Sequence, residues 1–366
     1  MTINPNIFNT EKTDYNQPSL FMGQKLGLVD SINKAYPEIF KLYKKMKSLD
    51  WDENEFDFSG CNVEFKTCTK TTYEIMIRTL AWQWEADSVA CTSLIPIVAP
   101  FVTSSELWVA WQRVADNESV HSLTYSEMVR NSFDNPSEVL DDILSVRESI
   151  GRVTTIAEVF GKVHETAVKL SANQIWKDQN AYNDIYLFVV ALYCLERIQF
   201  IASFAVTFAV ANTGQFVPFG KAVQKICQDE FEVHQLLDRA ILDYECQTAY
   251  DQVARIQNKE KIEKLVKEVI ETELTWVDYL LSEGRELVGM TPNLLKGWVL
   301  YNAKEVLDYF EIEHSYDIPV KNPIPFVEDW IDINRIQASP QQEKNAQYML
   351  GMVTDDISDD VIDIDL

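Results

Sequence analysis

Two pairs of glutamate and histidine residues are spaced so that each pair could bind one metal ion from a single helix. Glu118 and His121 are three residues apart, a rotation of about 300° that places both side chains on one helix face. Glu230 and His234 are four residues apart, about 40° around the helix. The chain has only four histidines, so few such pairs arise by chance. One isolated pair is also common as a surface ion pair, and a metal site needs further ligands.

Asp87 and Glu196 are carboxylates in strongly apolar segments and could complete such a site. Asp87 lies in LAWQWEADSVACTSLIPIV and Glu196 in YLFVVALYCLERIQFIASFAVTFAV. Because burying an unpaired carboxylate costs several kcal/mol, each should be paired, protonated or bound to metal. Arg197 is the alternative partner of Glu196, but adjacent residues on a helix point about 100° apart. Both carboxylates are therefore candidate metal ligands.

The spacing of these residues predicts two antiparallel helical hairpins. Asp87 precedes Glu118 by 31 residues and Glu196 precedes Glu230 by 34, with a helix breaker near the middle of each interval. Each hairpin would bring a carboxylate opposite a Glu/His pair, and the 75 residues from His121 to Glu196 would supply a long crossover. Ferritin-like bundles that bind two metal ions between four helices have this arrangement. Six oxygen and imidazole ligands suit iron or manganese.

The second Glu/His pair departs from the three-residue spacing of the first. If Glu232 were the ligand instead of Glu230, it would lie two residues from His234, about 200° away and nearly on the opposite helix face. Glu230 is the better candidate, and a wide π-type turn, a feature frequent at functional sites, would absorb the extra residue. Glu232 and Glu85 are expected to be solvated or to lie behind the ligands. The remaining histidines, His164 and His314, match no partner.

Helical periodicity is nearly continuous and strand signals are scarce, which predicts an all-α fold. We expect a ferritin-like four-helix bundle with additional flanking helices over residues 30–325. An extended segment, 1–29, would precede the bundle, and a flexible acidic tail, 326–366, would follow it. Thr103 and Glu106 have the spacing of a capping box, and Pro96–Pro100 predicts a helix break. The expected helices are 30–48, 67–95, 104–132, 136–148, 152–175, 181–211, 219–250, 252–283 and 291–312.

The composition excludes several classes of partner. Acidic residues outnumber basic ones 57 to 32, for a net charge of −25, whereas binding to nucleic acid or to an anionic membrane surface depends on Lys and Arg. The six cysteines show no CxxC spacing, and the N-terminal sequence has no apolar core of a signal peptide, so a cytoplasmic location is expected. Glu196 and Arg197 interrupt the apolar stretch 185–211, which predicts a buried helix rather than a membrane span.

From SLFMGQKLGLVD to its C-terminus, the chain resembles the small, radical-generating subunit of class I ribonucleotide reductase. That family's metal ligands follow the order Asp, ExxH, Glu, ExxH. The resemblance assigns these roles to Asp87, Glu118, His121, Glu196, Glu230 and His234. The family's radical tyrosine lies four residues after the first histidine, in the context HSxxY, and HSLTY supplies Tyr125 here. Four residues are one helical turn, so Tyr125 can lie close to the metals.

The resemblance extends to residues outside the ligand set. The apolar pocket that shields the family's radical is matched by Phe200, Phe204 and Ile226, which could also be ordinary core residues. Trp51, in a W-x-x-E context, and Asp229 match a hydrogen-bonded relay that includes His121. A carboxylate behind a metal-bound histidine also fixes the histidine's tautomer. Without the resemblance, Trp51 would be interpreted as a packing residue.

The C-terminal region resembles the family's subunit-docking tail. NPIPFVEDW at 322–330 is similar to the family's NPIPW segment, and Tyr348 matches the tyrosine that carries the radical across the subunit boundary. The tail ends in TDDISDDVIDIDL, in which Ile362, Ile364 and Leu366 could anchor it to the large subunit. A homodimer is also implied by the resemblance.

The resemblance implies a ribonucleoside-diphosphate reductase. A dinuclear centre, expected as Fe2 with Mn/Fe or Mn2 as alternatives, would oxidise Tyr125. The oxidising equivalent would then pass through Trp51 and Tyr348 to a cysteine of the large subunit, where ribonucleotides become deoxyribonucleotides. Two other functions stay open. An iron-storage protein would need neither tyrosine, and a dimetal oxygenase should have an open cavity beside the metals.

Overall fold

A computed structural model describes residues 17–332 of the chain, and within that range the regular secondary structure is helical. The all-α prediction is thereby confirmed. The described residues form thirteen α-helices, one short 3₁₀ turn at Glu53–Glu55 and two π-helical turns at Leu195–Gln199 and Glu230–His234. The α-helices are α1 (Pro37–Ser48), α2 (Cys61–Thr67), α3 (Lys70–Val98), α4 (Ser105–Ser132), α5 (Pro136–Leu144), α6 (Arg147–Ser171), α7 (Gln179–Cys194), α8 (Ile201–Asn212), α9 (Val217–Asp229), α10 (Gln235–Glu245), α11 (Ala249–Leu280), α12 (Pro292–Tyr309) and α13 (Phe326–Ile331).

Two helical hairpins form the centre of the bundle. The first hairpin consists of α3 packed along α4. In the second, the continuous rod α7–α8 packs along α9–α10. Because α8 contacts α9 and α7 contacts α10, the two rods of this pair are antiparallel. The hairpins meet through contacts of α3 with α8 and of α4 with α9. Helices α6, α11 and α12 cover the outside, with α6 packed on both α3 and α7. The predicted hairpin arrangement is thus the one observed.

Proline and cap chemistry move several helix boundaries away from their predicted positions. Helix α1 begins at Pro37 rather than at residue 30, because proline favours the first helical position and disfavours helical backbone in the residue before it. Helix α3 continues past Pro96 to Val98, since the proline lies in its last turn. Helix α2 lies in the interval between the predicted helices 30–48 and 67–95 and was not predicted.

The predicted capping box at Thr103 is wrong by one residue. Ser104 is the N-cap of α4, and its Oγ accepts a hydrogen bond from the Leu107 amide at 3.3 Å. The Thr103 hydroxyl instead donates to the Ser19 carbonyl at 2.7 Å. The Glu106 carboxylate accepts from the Ser104 hydroxyl at 2.9 Å and from the Tyr36 amide at 3.2 Å. These side chains therefore attach the N-terminal segment to the start of α4.

The longest apolar stretch is the core rod of the bundle. Residues 179–212 are long and apolar enough to cross a membrane by length and composition alone, but 89% of their most apolar window is buried inside the protein. Surrounding helices therefore cover this stretch, in agreement with the prediction of a buried helix.

The polypeptide stays packed beyond the expected start of the tail at residue 326. Helix α13 contacts α8 and α9, and the Trp330 ring stacks on Phe208 with centroids 5.0 Å apart. Trp330 also donates from Nε1 to the Asn212 side chain at 3.0 Å. The folded part of the chain therefore includes residues 326–331. Tyr348, Ile362, Ile364 and Leu366 lie outside the described residues.

Candidate metal centre

The bundle brings all six predicted ligands into one buried cluster. Their ligand atoms form two groups in which every atom lies within 4.8 Å of the others. The first group contains Asp87, Glu118 and His121. The second contains Glu118, Glu196, Glu230 and His234. Because Glu118 belongs to both groups, the arrangement suits two neighbouring metal ions that share a carboxylate.

Glu118 and Glu230 each approach both histidines, with one carboxylate oxygen for each ring. The Nδ1 atom of His121 lies 3.5 Å from Oε2 of Glu118 and 3.3 Å from Oε1 of Glu230. The Nδ1 atom of His234 lies 3.3 Å from Oε1 of Glu118 and 3.1 Å from Oε2 of Glu230. Both imidazoles therefore direct Nδ1 into the cluster, and the two glutamates occupy positions from which a carboxylate can bridge two ions.

The buried polar atoms of this cluster fit metal ions. Both carboxylate oxygens of Asp87 and one oxygen each of Glu118, Glu196 and Glu230 are buried without a hydrogen-bond partner. Burial, followed by the nearby Glu118 charge, raises the pKa of Asp87 well above its ordinary value. Burial and the nearby Glu230 raise the pKa of Glu196 in the same way. Carboxylate oxygens that lack partners in an apolar core, next to imidazole nitrogens, are the donor set that hard divalent cations prefer.

The predicted wide turn at the second Glu/His pair is confirmed. Residues Glu230–His234 form a π-helical turn, and this turn brings Glu230 and His234 into the cluster despite their four-residue spacing. Glu232 faces away, and its Oε2 forms an ion pair with Lys45 Nζ at 2.7 Å. Glu196 lies on the other π-helical turn, Leu195–Gln199, which the sequence did not predict.

Trp51, Asp229 and His121 form a continuous buried chain of contacts. The indole Nε1 of Trp51 donates to Asp229 Oδ2 at 2.7 Å, and the same oxygen lies 3.1 Å from His121 Nε2. The Trp51 and His121 rings are stacked, with centroids 5.9 Å apart. Burial alone would lower the pKa of His121, but the hydrogen bond to Asp229 and the nearby Glu118 carboxylate raise it well above its ordinary value. Asp229 therefore orients both rings.

Tyr125 is completely buried one helical turn after His121. Its hydroxyl has no hydrogen-bond partner among the described residues. Burial, followed by the charge of Asp87, raises the pKa of Tyr125 well above its ordinary value, so the neutral phenol is favoured. The three residues of the predicted apolar pocket are also buried: Phe200, Phe204 and Ile226.

Several polar residues around the cluster were not recognised from the sequence. Asn117 Nδ2 lies 3.5 Å from His234 Nε2, and Asp238 is buried one turn after His234. Their positions beside candidate ligands on the same helices were the available signal. Arg197 pairs with Glu305 at 3.1 Å, so it is not the partner of Glu196. His164 and His314 are exposed and lie outside the cluster.

A helical bundle that buries six carboxylate and imidazole side chains where four helices meet defines the class of ferritin-like dimetal carboxylate proteins. Residues 30–323 match the family described as ribonucleotide reductase, small chain, and the chain belongs to that family. The cluster is accordingly a dinuclear metal site, and the chain is the small subunit of an oxidoreductase that also requires a large subunit.

Individual relatives agree with this assignment. The ribonucleoside-diphosphate reductase subunit beta of Buchnera aphidicola subsp. Schizaphis graminum is 24% identical over 372 residues, which cover 96% of each chain. Among solved structures, the ribonucleotide reductase R2 subunit from Clostridium botulinum aligns with a TM-score of 0.75 at 18% identity, covering 89% of this chain and 98% of that one. A dimanganese(II) NrdF from Streptococcus sanguinis aligns with a TM-score of 0.65 at 14% identity, covering 85% and 100%.

Proposed function

We propose that this chain generates and stores a radical on Tyr125 and passes the oxidising equivalent to a large subunit that reduces ribonucleoside diphosphates. The observation that supports this most is that the fully buried Tyr125 lies one helical turn after His121, a member of the metal cluster. Hydrogen bonds through Asp229 connect His121 to Trp51. An electron paramagnetic resonance spectrum of aerobically metallated protein, with metal analysis of the same sample, tests it. Family membership favours this function over iron storage or small-molecule oxygenation.

The six clustered side chains hold the metals in this proposal. Glu118 and Glu230 would hold the metals from the middle of the cluster, and Asp87 and Glu196 would hold them from opposite hairpins. The centre is proposed as Fe2, with Mn/Fe or Mn2 as the alternatives, because oxygen and imidazole ligands suit both elements. When bound, such a redox-active centre supplies the oxidant that removes one electron from Tyr125.

The surroundings of Tyr125 suit a long-lived radical. Oxidation removes one electron and the hydroxyl proton and leaves a neutral phenoxyl radical. The pocket provides no charge to stabilise an ionised phenol and admits no water to the ring, since Tyr125 and its neighbours are buried. The stacked rings of Phe200 and Phe204, with centroids 5.6 Å apart, are themselves poor electron donors. The radical is therefore expected to persist until an electron arrives through the Trp51 relay.

The relay of Trp51, Asp229 and His121 carries the oxidising equivalent towards the large subunit. When the Trp51 indole is oxidised, its Nε1 proton can move along the 2.7 Å hydrogen bond to the Asp229 carboxylate and return on reduction. We propose Tyr348, in the C-terminal tail, as the next carrier. The tail binds the large subunit, and the chain acts as a cytoplasmic homodimer.

Replacing Asp229 with asparagine should lower turnover roughly 10–100-fold, the usual effect of losing a carboxylate behind a metal-bound histidine. The asparagine amide oxygen can still accept hydrogen bonds at the position of Asp229 Oδ2, but it carries no negative charge and cannot take up the Trp51 Nε1 proton. Ribonucleotide reduction with the large subunit measures the effect. Glu232→Gln is the control, since it neutralises a carboxylate three residues away that is paired with Lys45. It should leave turnover within about twofold of the parent, because that surface ion pair contributes little to stability. Equal turnover in both variants would remove Asp229 from the relay.

A synthetic peptide of the last twenty residues should compete with the full-length chain for the large subunit. Ile362, Ile364 and Leu366 provide apolar anchors, and the six aspartates of the terminal TDDISDDVIDIDL steer association electrostatically. Inhibition of turnover by the peptide measures this binding. A peptide with the three anchors replaced by serine keeps all the charge and should not compete. If both peptides were inactive far above the subunit concentration, docking would lie elsewhere.

A further inference from the structure

A second buried charged group lies outside the metal cluster. The Arg152 guanidinium is placed between two indole rings, with its central carbon 3.8 Å from the Trp82 ring centroid and 4.4 Å from that of Trp276. Arg152, Trp82 and Trp276 are each at most 2% exposed. The helices α3, α6 and α11 supply one residue each. A buried cation on two aromatic faces is a strong form of cation–π contact.

The edge of the same guanidinium is held by hydrogen bonds. Arg152 donates through Nη2 to the Glu273 carboxylate and to the Gln199 carbonyl, and the Gln199 side chain donates back to the Arg152 carbonyl at 2.9 Å. Guanidinium N–H groups point outward in the plane, so Glu273 and the Gln199 carbonyl lie at the guanidinium edge. The guanidinium carbon itself lies within 4.4 Å of both ring centroids.

Trp82 lies beside the aromatic residues that are predicted to shield Tyr125. Its ring centroid is 6.1 Å from that of Phe200, which stacks on Phe204. Trp82 and Trp276 are themselves neighbours, with centroids 6.4 Å apart. Indoles are among the side chains that lose an electron most easily. A pair of them beside a strong oxidant could therefore be oxidised in place of the intended carrier.

The charges beside the tryptophans differ in sign. The Trp51 indole donates its Nε1 proton to the Asp229 carboxylate, which favours the oxidised ring because the carboxylate can take the proton. The Arg152 charge on the faces of Trp82 and Trp276 opposes the positive charge that oxidation creates there. We infer that Arg152 makes Trp82 and Trp276 poor electron donors and so confines the oxidising equivalent to Tyr125 and Trp51. This role rests on the proposed function.

The suppressed reaction is a proton-coupled electron transfer from the Trp82 indole to the Tyr125 radical, and dioxygen then traps its product. One electron would leave the Trp82 indole and reduce the Tyr125 phenoxyl radical, and the proton released from the indole Nε1 would balance the proton that restores the tyrosine hydroxyl. The product would be an indolyl radical, which captures dioxygen and leaves oxygen atoms on the tryptophan. Arg152 acts through the indoles and is a positioning residue, not a catalytic one.

Three variants separate charge from packing. Arg152→Gln with Glu273→Gln removes both charges and leaves neither partner as an unpaired buried ion, which should preserve the fold. Arg152→Lys keeps the cation. Glu273→Gln alone removes the anion and leaves Arg152 as an unpaired buried ion, so circular dichroism must first show that this variant is folded. After metal loading and exposure to dioxygen, the Tyr125 radical is followed by its paramagnetic resonance signal, and peptides containing Trp82 and Trp276 are analysed by mass spectrometry.

The double variant should shorten the lifetime of the Tyr125 radical about tenfold, equivalent to about 1.4 kcal/mol of lost cation–ring interaction, and should add oxygen to Trp82 or Trp276. Arg152→Lys and Glu273→Gln should show no more tryptophan oxidation than the parent. Equal oxidation in all four proteins would overturn the inference. So would increased oxidation in Glu273→Gln, because that result would follow disturbed packing rather than charge.

A separate oxidant distinguishes this inference from the proposed function. If the parent chain forms no Tyr125 radical, the proposed function fails. The same variants are then oxidised without metal by a flash-generated ruthenium(III) complex, which removes single electrons from aromatic side chains. Greater oxidation of Trp82 and Trp276 only in the double variant supports the role of Arg152, and equal oxidation in all variants contradicts it.

Discussion

Replacing Tyr125 with phenylalanine should abolish the radical signal and ribonucleotide reduction while leaving the fold and the bound metal unchanged. The Tyr125 hydroxyl has no hydrogen-bond partner among the described residues, and the ring is completely buried. Removing it should therefore change the free energy of unfolding by about 1 kcal/mol or less. Phenylalanine cannot be oxidised at an accessible potential, so no radical can be stored at this position.

The experiment needs a tyrosine that is buried but remote from the cluster as its control. Tyr182 is 2% exposed and donates its hydroxyl to Glu245 on α10. Tyr182→Phe should keep the radical signal, although it loses a buried hydrogen bond and some stability. Circular dichroism and metal analysis check that both variants fold and bind metal. Retained reductase activity in Tyr125→Phe would exclude the tyrosyl mechanism and indicate an oxidant stored on the metals.

Replacing Glu230 or His234 with alanine should remove bound metal and, with it, the radical and all activity. Both side chains reach the cluster from the π-helical turn, and Glu230 lies within 3.3 Å of both histidine Nδ1 atoms. Losing Glu230 removes a carboxylate that approaches both histidines and would help to hold the metals. The helix content should be retained, because both variants leave the apolar core of the bundle unchanged.

Glu232→Ala is the matched control for the ligand variants. It removes a carboxylate from the same turn, but one that pairs with Lys45 at the surface. Both metals should remain bound, as measured by metal analysis after gel filtration. Loss of metal in Glu232→Ala together with retention in Glu230→Ala would reverse the assignment.

Much of the candidate site could be read from local sequence because the signals are local. Glu118 and His121 share a helix face through helical periodicity alone, and Asp87 and Glu196 are conspicuous as carboxylates in apolar segments. The four-residue interval between Glu230 and His234 required a wide turn, since a regular helix would place the pair at the wrong relative height. The helix breakers between these positions predicted two hairpins and hence a bundle.

Only the tertiary structure decided which polar groups meet across helices. No spacing rule connects Lys45 to Glu232, or Arg152 on α6 to Trp82 on α3 and Trp276 on α11. Nothing in the local spacing of residues predicts the second π-helical turn, at Leu195–Gln199. The Gln199 carbonyl at its end accepts a hydrogen bond from Arg152. Helix periodicity determines which face a residue occupies, but side-chain contacts depend on how the helices are rotated and offset against one another. That arrangement is set by the packing of the whole core, so it is not visible in any one segment of the sequence.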